Sequence, residues 1–68
     1  MEEMVLNYFK AYPGRNINYT EVCYFLSTID ESVISALKKL VGDEKLQLVN
    51  DSRKGWQKMY VCRLAKED

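Results

Sequence analysis

The hydrophobic period of this 68-residue chain changes once. Up to Gly42 apolar residues recur at three- and four-residue intervals, and from Leu46 onward they alternate. A chain that switches in this way builds helices first and strands after them. The expected class is therefore α+β, in one domain covering residues 1–68.

Three helices are expected, at about 2–12, 19–27 and 31–41. In the first, Met4, Val5, Tyr8, Phe9 and Tyr12 form one apolar face. Glu2 and Glu3 suit its positive end, and Pro13-Gly14 stops it. Asn18-Tyr19-Thr20-Glu21 has the form of a capping box, with Ile17 and Val22 as a hydrophobic staple. Val22, Phe25 and Leu26 supply the buried face of the second helix. Asp30 is the expected N-cap of the third, with Ile29 and Ile34 repeating the staple; Thr28 with Glu31 makes a competing box. Val33, Ile34, Leu37, Leu40 and Val41 line one side of this helix, and Gly42 ends it.

The remainder reads as a β-hairpin, with strands at about 46–50 and 57–64 joined by Asn50-Asp51-Ser52-Arg53-Lys54-Gly55. Alternation assigns Tyr60, Cys62 and Leu64 to the core and turns Met59 and Val61 outward.

So short a chain buries only about 60% of its unfolded surface, so its core is marginal. Cys23 and Cys62 stand alone and there is no histidine, which argues against a metal site. They read as two buried thiols in a reducing compartment, so the expected location is cytoplasmic. No apolar run approaches the length of a membrane span. Net charge is zero but uneven. Residues 1–31 hold two cations against five acids, and residues 32–66 hold eight cations against three. That asymmetry points to an anionic partner for the second half.

Asn16-Ile17-Asn18-Tyr19-Thr20-Glu21-Val22 leads into the second helix, and Ser32-Val33-Ile34-Ser35-Ala36-Leu37-Lys38-Lys39-Leu40 makes up the third. Glu44-Lys45-Leu46 then leads to the hairpin. In this order the chain resembles the winged helix-turn-helix family over about residues 4–64. It departs from the family at Lys45, where a glycine is common before the first wing strand.

The resemblance implies three helices followed by a two-stranded wing, and a transcriptional regulator that binds double-stranded DNA. The third helix would lie in the major groove and the wing, residues 50–56, on the backbone or minor groove. The outward side of that helix presents Glu31, Ser32, Ser35 and Lys39, with Lys38 at its flank. Serines can bond to bases or phosphates, and lysines neutralise phosphates. Glu31 opposes phosphate and is better explained by the helix dipole. Arg53, Lys54 and Lys58 make the wing basic. Trp56 either braces the wing or anchors a partner, and Tyr24, on the outer side of the second helix, suits a protein interface.

No nucleophile motif or phosphate loop is present, so neither an enzyme nor a cofactor is expected. The alternative to DNA binding is a winged-helix module that binds protein. The small core and small footprint also predict a homodimer, formed through the first helix or through Met59 and Val61.

Overall fold

The computed structural model describes residues 1–52 and 58–65. Its elements run α1 (Glu2–Ala11), β1 (Ile17–Asn18), α2 (Tyr19–Leu26), α3 (Asp30–Gly42), β2 (Leu46–Ser52) and β3 (Met59–Leu64). Among the described residues the fold is a small α+β one, with three helices and a three-stranded antiparallel sheet ordered β1-β3-β2. The expected hairpin has gained a third strand. Ile17 pairs with Cys62 and Asn18 with Val61, so the extended piece before α2 closes the free edge of β3.

That third strand explains the burial of β3. Strict alternation turned Val61 outward, yet it is only 8% exposed, between Tyr60 and Cys62, which are both buried. β3 is the central strand, and Val61 has Asn18 on one side and Asn50 on the other. Met59 is exposed, as expected, and Leu64 is half-buried against the core. In β2 the register slips between Leu48 and Asn50, leaving Val49 as the extra residue of a β-bulge. Only Leu46 of that strand is buried.

The core joins Val5 and Phe9 of α1, Tyr19, Val22 and Cys23 of α2, and Val33, Leu37 and Leu40 of α3 to Leu46, Tyr60 and Cys62. The apolar face expected for α1 is only partly used. Val5 and Phe9 are buried, whereas Met4 is 56% and Tyr12 45% exposed. In α2 the buried set shifts round the helix. Phe25, assigned to the core from the sequence, is 60% exposed, and Tyr19 and Cys23 lie inside. An eight-residue helix packed on two sides has room for only a narrow buried stripe, and Phe25 lies at its edge against Tyr8, with ring centroids 4.4 Å apart.

The helix ends also differ from their local signals. Asn18 does cap α2, but Glu21 does not reach back to it. Ile29, not Asp30, is the N-cap of α3, and Ile29 is 66% exposed, so no staple forms there. Asp30 instead faces Cys23 across the α2–α3 turn, where its carboxylate helps to raise the thiol pKa. Gly42 remains inside α3. The left-handed residue that ends the helix is Glu44, at φ 63°, with the Lys45 amide donating to Leu40 and the Glu44 amide to Val41. The same Schellman geometry ends α2, where Ser27 has φ 51° and the Thr28 amide donates to Cys23.

Candidate nucleic-acid interface

α3 follows α2 after the three residues Ser27–Ile29. The left-handed Ser27 reverses the chain in so short a space, because it closes α2 and is followed within two residues by the extended Ile29 that caps α3. Val33, Ala36, Leu37 and Leu40 then fix the rotation of α3 by burying one side. Successive residues turn by about 100°, so Glu31, Ser35 and Lys38 fall on the opposite side, and all three are exposed. Lys38, expected at the flank, sits near the middle of this outward face.

Ser32 and Lys39 lie round the helix toward α1. Ser32 is half-buried. Lys39 is exposed, but its Nζ is 3.6 Å from a carboxylate oxygen of Glu2. This surface pair is worth about 0–1 kcal/mol, small enough for a competing anion to displace. Lys58 is exposed immediately before β3. Arg53, Lys54 and Trp56, the rest of the sequence-derived wing, lie outside the described residues. Tyr24 is 90% exposed on α2, as its position on the outer side required.

Away from α3, a polar cluster that no local sequence signal announces lies between α1 and α2. The Tyr8 hydroxyl donates to one oxygen of Glu21, and Arg15 donates to the other at 3.1 Å. The bond to Glu21, and then partial burial, hold the Tyr8 phenol above its ordinary pKa. This cluster is what draws Glu21 away from its capping role. It joins positions 8, 15 and 21, which no helical spacing brings together.

Both cysteines are free and buried. Burial pushes each thiol up to about 11, with the Asp30 carboxylate adding to the effect at Cys23 and Asp51 at Cys62. At neutral pH both are protonated and behave as small apolar groups. Among the described residues no three cysteine, aspartate or glutamate side chains gather as metal ligands would. Nor, among them, is any helix long and apolar enough to cross a membrane. An open cleft of about 630 Å³ lies between the end of α1 and the sheet, with Lys10 and Arg63 on its walls. Arg63 is already engaged there, its Nε donating to Gln47 at 2.9 Å.

No protein-family model, curated protein or solved structure matches this chain.

Proposed function

We propose that the chain is a DNA-binding transcriptional regulator of the winged helix-turn-helix type, with α3 as the helix that enters the major groove and the β2–β3 hairpin as the wing. The observation that carries this reading is the free outward face of α3. It is a 13-residue helix, held by one buried side directly after a tight turn, with Ser35 and Lys38 exposed opposite that side. The major groove admits an α-helix, and small hydroxyls and lysines on its outer face suit base edges and phosphates. Ser32, at the margin, adds a second hydroxyl. Lys39 joins when phosphate replaces Glu2 as its partner. Lys58, with Arg53 and Lys54 of the sequence-derived wing, extends the basic surface.

A second reading, a module that binds protein in place of DNA, draws on the exposure of Tyr24 and on the zero net charge. Titration against mixed-sequence duplex DNA at roughly 50 and 200 mM salt separates the two. The DNA reading expects binding whose logarithm falls with log salt at a slope of about −4, matching a handful of neutralised phosphates. Absence of binding at the lower salt overturns it and leaves the protein-binding reading.

A further inference from the structure

We infer that the outward face of α1 is a self-association surface, on which a second copy of this chain lies antiparallel about a two-fold axis. The inference goes beyond the DNA-binding reading and does not depend on it, since it uses no residue of α3 or the hairpin.

α1 buries Val5 and Phe9 and carries a second stripe in which Met4, Asn7 and Ala11 are exposed and Tyr8 is half-buried. Met4, Asn7, Tyr8 and Ala11 recur at intervals of three, four and seven residues, the spacing of a helix–helix seam. Phe25 and Leu26 of α2 extend the stripe sideways, and together these side chains line a groove of about 320 Å³. The groove has room for a large side chain, and Met4, on its wall, is itself exposed.

Two features commit the occupant to a second copy. The first is charge. Glu3 and Lys10 lie seven residues apart along one flank of the stripe, opposite in sign and at opposite ends of the helix; both are exposed. A helix laid antiparallel with its centre near Asn7 sets Glu3 against Lys10 of the other copy, and Lys10 against its Glu3. The same arrangement sets Met4 against the small Ala11 and brings the two Asn7 side chains together at the axis. An amide carries both a donor and an acceptor, so it can pair with its own copy. A parallel two-fold arrangement would put the two flanks on opposite sides of the seam and leave these charges without a cross-helix partner.

The second feature is area. The exposed parts of Met4, Tyr12 and Phe25 amount to roughly 300 Å² of apolar surface per copy. That is an apolar centre of the size found in a standard interface of about 800 Å² per partner, and Glu3, Lys10 and Arg15 supply the polar rim. Of the other surface expected from the sequence, Val61 is buried, which leaves Met59 too isolated to serve.

The test is sedimentation equilibrium of the whole chain without nucleic acid, over about 1–300 μM. A monomer–dimer equilibrium is expected. Glu3→Lys or Lys10→Glu alone sets like charges together twice, by symmetry, and weakens the dimer about tenfold. The two combined restore opposite signs and bring the affinity back to within about threefold of the parent. Ala11→Arg, in the seam, abolishes the dimer while the circular-dichroism melt stays cooperative. If that variant fails to fold, Asn7→Arg at the axis replaces it. A strict monomer throughout the range overturns the proposal, as do charge reversals whose effects add without recovery. Duplex binding is read separately, so failure here is distinct from failure of the DNA reading.

Discussion

The side chain of Asn18 accepts hydrogen bonds from two backbone amides, those of Tyr19 and Tyr60, each at 2.9 Å. The first begins α2. The second joins that helix end to β3, 42 residues further along the chain. One amide oxygen thus couples the start of a helix to the central strand. Asn18→Ala removes the cap and strips a partner from the Tyr60 amide. The expected loss is about 2 kcal/mol, larger than for an ordinary N-cap. Asn18→Asp keeps the acceptor and recovers most of it. Urea unfolding of the two variants measures the difference, and equal losses would show that the acceptor is not what matters.

Ser27 and Glu44 hold left-handed backbone at the ends of α2 and α3. That conformation costs a residue with a Cβ about 1 kcal/mol. Part of the gain from glycine is offset by its extra freedom in the unfolded chain. Ser27→Gly and Glu44→Gly are each expected to stabilise the fold by about 0.5 kcal/mol, and the pair additively, because the sites do not share a helix end. Thermal melts of the single and double variants check this.

The thiol and phenol shifts give the fold an alkaline limit. Cys23 and Cys62 are pushed up to about 11 from 9.0, and Tyr8 and Tyr19 are raised above 10.0. Each group binds its proton more tightly folded than unfolded. Their contribution is fully present below the unfolded values and is lost as pH rises through the folded ones. Stability should therefore decline between pH 9 and about 11. Urea midpoints taken across that window should fall for the parent chain and fall less for Cys62→Ala, once each is referred to its own value at pH 7.

The ion pair at the α1–α3 contact separates the two lysines of the proposed recognition helix. Lys38 forms no ion pair among the described residues, whereas Lys39 must first leave Glu2. Lys38→Ala is expected to weaken duplex binding about threefold to tenfold, and Lys39→Ala by less. Glu2→Gln should strengthen binding modestly by freeing Lys39. Fluorescence anisotropy on one duplex at low salt reads all three. A larger effect at Lys39 than at Lys38 would reverse the assignment of the helix face.

What the sequence determined by itself is what neighbouring residues decide. Pro13-Gly14 ends the first helix, Asn18 opens the second, and the change of period after Gly42 separates helices from strands. The outward direction of Glu31 and Ser35 was legible for the same reason, because a helix of fixed pitch with Val33, Leu37 and Leu40 inside must turn them out, whereas Ser32 and Lys39, also read as outward, lie toward α1. Tertiary structure decided whatever depends on groups distant in the chain. Ile17 and Asn18 become a strand only because β3 arrives beside them. Glu21 leaves its capping role because Tyr8 and Arg15 offer it stronger partners, and Lys39 turns to Glu2 because α1 crosses near it. Val61 is buried although the alternation pointed it outward, since a strand with neighbours on both edges is covered in a way an edge strand is not. Periodicity records which residues share a face of one element. It carries no record of which other element will lie against that face, and this contact sets the final partner of each polar side chain.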